Sequence, residues 1–159
     1  RRIADGGVPL RGYSTGLSLP EVPVWSPDGG AIFYRALIDG KVAVWRASAD
    51  GSGATPVTSD PADVRSFVLA SDGRTLRYST GATREELEAA ELAESEAGVG
   101  TDRSVFGGAG LFRPSRLHGR PTTQRFQGNW FEGGPLLGKA ESRWKEVELN
   151  ALLARDLPS

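Results

Sequence analysis

Histidine occurs once in this sequence, at His118, and that bounds the proton chemistry available to the chain. A Ser-His-Asp site needs a base of near-neutral pKa beside its nucleophile, so any such site would have to use His118. This residue lies in an expected hairpin turn, His118-Gly119-Arg120, where an exposed turn histidine is the ordinary reading. No Gly-x-Ser-x-Gly elbow is present to raise a serine oxygen above a sheet. No catalytic residue is therefore assigned. The glutamates Glu85, Glu86, Glu88, Glu91, Glu94 and Glu96 would make a calcium or acid/base site only if they converged on one cavity, and their spacing reads as a solvated helical face. Asp28 and Asp72 read as turn residues rather than ligands. Arg113, Arg116, Arg120 and Arg125 form a locally basic stretch that can meet a carboxylate. Trp130 and Phe131 sit between Gly128 and Gly133-Gly134, a setting from which a loop can project an aromatic pair. Arg125, Trp130 and Phe131 are the candidate ligand contacts, and no metal or cofactor is expected.

The elements that must position these residues belong to a chain of 159 residues with 38% hydrophobic and 25% charged side chains and a formal charge of −1. This is enough apolar material for one core. Mixed charge with no basic stripe argues against a nucleic-acid partner. The absence of cysteine excludes disulfides and thiolate chemistry and leaves the compartment open, so periplasm and cytoplasm both fit. No apolar run has the length of a membrane span. The chain opens on Arg1-Arg2 and contains no methionine, which reads as a piece of a longer protein. Its 21 glycines and 10 prolines predict many turns and short strands.

A repeat organises the first half. Val24-Trp25-Ser26-Pro27-Asp28-Gly29-Gly30-Ala31-Ile32-Phe33-Tyr34 is matched by Leu69-Ala70-Ser71-Asp72-Gly73-Arg74-Thr75-Leu76-Arg77-Tyr78, with Asp28 and Asp72 separated by 72 − 28 = 44 positions. A four-stranded propeller blade consumes about 40–45 residues. Asp-Gly suits a tight hairpin turn, because the aspartate bonds its own backbone and the glycine accepts positive φ. The run 31–37, the turn Ile38-Asp39-Gly40-Lys41 and the alternating run 42–46 predict a second hairpin. The loop 49–53 then leads to a short edge strand over 54–58, where Pro56 is tolerated. Trp25 and Trp45 are expected to pack between neighbouring blades.

The second copy predicts strands over 65–69 and 74–79. Thr83-Arg84-Glu85-Glu86 then has the form of a capping box and predicts a surface helix over 84–97, inserted between blade strands. Residues 98–110 read as loop. Leu111-Phe112-Arg113, Arg116-Leu117 and 121–126 predict a further hairpin turning at His118. Residues 130–135 read as turn-rich, and 144–149 as one last strand, with a helix over 148–155 as the competing reading. The expected fold class is mainly β: an incomplete propeller with blade-like repeats at about 22–62 and 63–126, an irregular third segment over 111–150, and one inserted helix. Closure takes at least four blades, so the expected domain is partial.

The SPDG and SDG turns resemble the repeats of TolB-type propellers and of the prolyl oligopeptidase family. A closer resemblance runs from about Val22 to Leu149 and rests on seven stretches: 24–29, Phe33-Tyr34-Arg35-Ala36, Thr58-Ser59-Asp60-Pro61-Ala62-Asp63-Val64-Arg65, 78–84, Gly110-Leu111-Phe112, Thr123-Gln124-Arg125-Phe126 and Trp130-Phe131. These look like the N-terminal propeller region of lasso peptide isopeptidases. That resemblance implies a bacterial serine peptidase whose propeller caps a C-terminal α/β-hydrolase domain and admits a threaded lasso peptide. The implied partners are that hydrolase domain and the lasso peptide. None of the triad motif occurs here, so this chain alone is expected to be inactive. Two other readings are a non-enzymatic TolB-like propeller that binds a protein partner and a self-sufficient small β protein. The former is separated from the enzyme by the sequence downstream, and the latter would unfold cooperatively as a monomer.

Overall fold

A computed structural model of the protein describes residues 3–12, 17–83, 122–126, 129–133 and 143–149, with positions 85, 86, 89, 92 and 96. The described residues form ten strands: β1 (Leu10–Gly12), β2 (Val24–Trp25), β3 (Ala31–Ile38), β4 (Lys41–Ser48), β5 (Ala54–Pro56), β6 (Ala62–Leu69), β7 (Thr75–Thr83), β8 (Thr122–Phe126), β9 (Asn129–Gly133) and β10 (Arg143–Glu148). They assemble into a four-stranded sheet of order β2-β3-β4-β5 and two three-stranded sheets, β10-β7-β6 and β1-β9-β8. Pairing is antiparallel except for β1 with β9, which is parallel.

The two DG turns share one hydrogen-bond scheme. In the first, Ser26 N–H donates to Ala31 O and Gly29 N–H to Ser26 O; in the second, Ala70 N–H donates to Thr75 O and Gly73 N–H to Ala70 O. Asp28 Oδ1 accepts from Gly30 N–H at 3.0 Å, and Asp72 Oδ1 from Arg74 N–H at 2.9 Å. Each aspartate thus holds the backbone two residues ahead, the role their spacing predicts. Ser26 adds a bond to Asp28 that Ala70 cannot copy. The turn between β3 and β4 places Asp39 at φ 52° and Gly40 at φ 73°, the mirror-image turn that matches strand twist.

Alternation along β3 sorts its side chains onto two faces. Ala31 and Phe33 join Val44, Val57, Val64, Leu76, Tyr78 and Leu149 in a core between the first and second sheets, with Phe67, Leu69 and Val147 packed against it. This face is called inner below. The outer face of the first sheet gathers Tyr34, Ala36 and Ala47, with Ile32, Ile38, Trp45 and Ala54. A smaller cluster of Leu10, Leu37, Val42 and Leu19 closes one end.

Several expectations are corrected. β6 begins at Ala62 and β7 runs to Thr83, beyond the expected strands; β6 departs from regular register between Ala62 and Val64 and between Val64 and Ser66. Trp130 to Gly133, at the start of the stretch 130–135 expected to be turn-rich, belong to strand β9 instead. β9 is paired on both sides, by β1 and by β8, and this ladder prevails over the turn tendency of its flanking glycines. β8 pairs with β9, Phe126 facing Asn129, and the hairpin expected at His118 lies outside the described residues. Trp25 is 58% exposed, not packed, because β2 lies at the sheet edge. The third strand of the second sheet is β10, which places 143–148 against β7 and gives Glu148 to a strand rather than a helix. Most of the expected helix over 84–97, the loop over 98–110 and the strands over 111–117 lie outside the described residues.

Candidate functional site

The densest polar construction lies at the join between the first two sheets, along Thr58 to Arg65. β5 pairs with β4 only from Trp45 to Ala47, so the N–H groups of Val42 and Val44 need other acceptors. Thr58 Oγ1 takes Val44 N–H at 3.0 Å and Asp63 Oδ1 takes Val42 N–H at 2.9 Å, while Val57 N–H returns to Val44 O. Between them, Asp60 is 4% exposed. Its Oδ1 accepts from Ala62 N–H at 3.0 Å, and its Oδ2 accepts from Tyr78 Oη at 3.3 Å and from the Lys145 ammonium. Burial pushes the Asp60 carboxyl up, but the bonds from Lys145, Ala62 and Tyr78 outweigh it and hold the group below the usual carboxylate range. Burial and the neighbouring Asp60 charge together raise the Tyr78 phenol. One carboxylate thereby ties the link after β5 to the middle of β7 and β10.

A second tie is Arg35, on the inner face of β3 and 8% exposed. Its Nη1 donates to Arg65 O at 2.7 Å and Val64 O at 3.3 Å, on β6. Its Nε and Nη2 both meet Glu21 Oε1. Glu21 is held in place by a segment stiffened by Pro20 and Pro23. Beside this pair lies a cleft of about 200 Å³ walled by Gly7, Val8, Leu10, Leu19, Glu21 and Arg35. The guanidinium is already spent on a carboxylate and two carbonyls, so the cleft offers apolar walls and a neutralised charge. Its chemistry is that of a scaffold.

The outward edge is different. Glu21 to Trp25 are all exposed, with Val22 at 76% and Trp25 at 58%, and Leu17 nearby at 69%. This apolar edge is the part of the first sheet best suited to touch another chain.

The residues singled out from sequence are scattered. Arg125 lies on β8, and Trp130 and Phe131 on β9; Arg125 pairs with Trp130, and Gln124 with Phe131. The three are brought onto one hairpin, and its partner β1 sets Leu10 against Trp130 and Arg11 against Phe131. His118, Arg113, Arg116 and Arg120 lie outside the described residues. The capping box forms: Glu86 N–H donates to Thr83 Oγ1 at 3.0 Å and Thr83 N–H to Glu86 Oε2 at 2.8 Å. Glu86 also receives a forked pair from Arg143. Asp28, hydrogen-bonded first by Ser26 and then by Gly30, sits below its ordinary pKa as a turn residue. Sequence reasoning missed Arg35, Glu21, Asp60 and Lys145 as a working set. The quoted stretch Thr58 to Arg65 did carry a signal, in two aspartates and a threonine just after a short edge strand. Among the described residues no group of three or more His, Asp or Glu is arranged to hold a metal, and no helix is long and apolar enough to cross a membrane.

With this geometry in hand, the chain can be compared with known proteins. No protein-family model matches it. Over 76 residues it is 41% identical to the lasso peptide isopeptidase AtxE2 of Asticcacaulis excentricus, a match that takes in 45% of this chain and 11% of that protein. Its fold resembles solved structures of AtxE2. A serine-to-alanine variant with Astexin3-dC4 bound aligns with 84% of this chain at TM-score 0.55 and 28% identity, and the apo form with 89% at TM-score 0.54 and 26% identity. The chain covers 17% and 20% of those two structures, so it spans a fifth or less of the relatives it matches.

Proposed function

We propose that this chain is the propeller region of a bacterial serine isopeptidase that opens the isopeptide-closed ring of lasso peptides, and that it admits and holds the threaded peptide while an α/β-hydrolase domain elsewhere in the polypeptide cuts it. The carrying observation is the 41% identity to AtxE2, together with likeness to a structure of that enzyme with Astexin3-dC4 bound. Two sheets stacked face to face, built on one 44-residue repeat, support the propeller architecture. The reciprocal Thr83–Glu86 cap, with helical backbone at 85, 86, 89, 92 and 96, supports an inserted helix in the second repeat, which starts near 63. The division of the chain into repeats at about 22–62 and 63–126 is part of the same reading. Arg125, Trp130 and Phe131, collected on the β8–β9 hairpin, are the proposed peptide contacts.

In the enzyme as a whole, chemistry is acyl transfer from the isopeptide carbonyl to a serine outside this region, followed by hydrolysis. Arg35, which ties β3 to β6, and Asp60, which ties the link after β5 to β7 and β10, make this region a stiff wall against which a rigid substrate can be selected by shape. Incubating the full polypeptide with threaded lasso peptides and following mass tests the reading. The expected product is a linear peptide heavier by one water, lost when the catalytic serine is replaced. Intact lasso peptides throughout would overturn the reading in favour of a non-enzymatic propeller that binds a protein partner.

A further inference from the structure

The cleft beside the Arg35–Glu21 pair performs no chemistry of its own, but its walls are set to bind. It lies where the N-terminal segment crosses the end of β3. There Val8 N–H donates to Leu37 O at 2.8 Å, and Gly7, at φ 70°, comes so close that a Cβ would stand 2.3 Å from that same oxygen. Only glycine fits such an approach, so this side of the cleft is fixed. Leu10 and Leu37 are buried beside it with Leu19 packed against them, and Leu10 O takes Leu19 N–H at 2.8 Å.

Size and charge limit the guest. At about 200 Å³ the cleft is smaller than the ~300–1,000 Å³ of a site for a drug-sized ligand, and it has room for one side chain. Arg35 is the one cation among the described residues that line it, and its guanidinium is bonded to Glu21 and two carbonyls, so a carboxylate guest finds no counter-charge. Glu21 gives Arg35 only Oε1; Oε2 has no partner among the described residues, and the side chain is 32% exposed. Apolar walls with one acceptor beside them match an aliphatic residue, which brings a side chain for the walls and a backbone N–H for the oxygen.

The neighbours of the cleft identify where that residue comes from. Leu10, one of its walls, is in register with Trp130, and Arg11 with Phe131, so the cleft adjoins the strand that carries the proposed peptide contacts. Glu21, another wall, begins the exposed run that ends at Trp25. The cleft thus joins two surfaces suited to touch a peptide. We propose that it is a subsite for the lasso peptide, receiving one Val, Leu or Ile side chain while Glu21 Oε2 accepts that residue's N–H. This rests on the isopeptidase reading and adds to it a pocket that selects substrate by the size of one residue.

Gly6 also lines the cleft, and a Cβ there meets no atom within 4 Å and no positive φ. Gly6→Phe therefore narrows the cleft without strain, and Gly53→Phe, at the opposite end of the first sheet with equal room, is the control. Isothermal titration of the full polypeptide, its catalytic serine replaced by alanine, with a threaded lasso peptide that the native form linearises reads the Kd. Gly6→Phe is expected to raise it about tenfold or more, the worth of one buried aliphatic side chain, Gly6→Leu to raise it less, and Gly53→Phe to change it by under about twofold. An alanine scan of the peptide then identifies the guest: truncating one Val, Leu or Ile should cost about tenfold against the native cleft and under about twofold against Gly6→Phe. An unchanged Kd for Gly6→Phe overturns the subsite, and so does a weakened Kd with no peptide position coupled to it, since the substitution then acts through the fold. Coupling at a lysine or arginine overturns the aliphatic guest in favour of a cation on Glu21. Hydrolysis by the native form keeps the claims apart: an unchanged Kd beside intact hydrolysis sinks the subsite alone, whereas a polypeptide that linearises no lasso peptide sinks the isopeptidase reading and the subsite with it.

Discussion

The first and second sheets repeat one another from the DG turn to the tyrosine six residues past it, yet their outer faces are opposites. Outside the first sheet lie Ile32, Tyr34, Ala36, Trp45 and Ala47, apolar apart from two donor atoms. Outside the second, Val68, Arg77, Glu146 and Trp144 mix charge with aromatic surface, Arg77 lying 5.6 Å from the Trp144 ring centre and 3.8 Å from Glu146. Exposed ion pairs of this kind add little. The inner faces, by contrast, merge into one core, with Arg35 bonded across it to β6. The difference teaches that the repeat encodes the turn and the strand pair, while what lies on each face decides which surfaces are finished.

The largest effect should come from the shared inner face. Phe33 is 2% exposed in the core between the sheets, so Phe33→Ala is expected to cost about 3–5 kcal/mol, read by denaturant unfolding of the full polypeptide. A loss under about 1 kcal/mol would show that the two sheets do not share a core. Arg35→Ala removes the tie to β6 and leaves Glu21 and two carbonyls without their donor, at an expected cost of about 2–3 kcal/mol; Arg35→Lys should recover less than half, since a point charge cannot replace the fork.

Asp60 makes the stability of the second sheet depend on pH. Its folded pKa is depressed below the unfolded value, so its contribution is full above that unfolded value and is lost as pH falls through the folded one. Stability should therefore hold from neutral pH down to about 4 and decline below it. In Asp60→Asn the neutral-pH stability should drop by about 1–2 kcal/mol and the acid decline should flatten. An unchanged acid limb would mean the carboxylate is not held by Lys145 and Tyr78.

The smallest effect separates the two turns. Gly29 and Gly73 both have φ near +70°, but a Cβ at Gly29 meets open space while one at Gly73 comes within 2.8 Å of Pro27 Cδ, where the two turns touch. Gly29→Ala should cost about 1 kcal/mol from strain alone, and Gly73→Ala more, by roughly 0.5–1 kcal/mol. Equal losses in thermal unfolding would mean that the turns do not touch.

The local part of this fold was legible in the sequence. Asp28-Gly29, Asp39-Gly40 and Asp72-Gly73 announce their turns because a side chain or a positive φ acts within two residues. Thr83 and Glu86 announce their cap for the same reason. What pairs at long range was hidden: β10 reaches β7 from about sixty residues away, and nothing in Arg143 to Glu148 names its partner. In the sequence of β9, glycines on both sides mask the aromatic pair they flank, and two neighbouring strands supply the ladder. Arg35 and Asp60 look ordinary in sequence, since their meaning lies in carbonyls and ammonium groups brought up by other strands. Trp25 was expected inside because large aromatics usually are, but β2 is an edge.

On the proposed reading, this region selects the lasso peptide and leaves the cutting to another domain. Exchanging residues 1–159 in the full polypeptide for the matching region of AtxE2, and measuring by mass spectrometry which threaded peptides are linearised, tests it most directly. The predicted result is that substrate preference follows the exchanged region while the product remains the singly hydrated linear peptide. Preference that stays with the unexchanged remainder would contradict the account and leave this chain a structural support only.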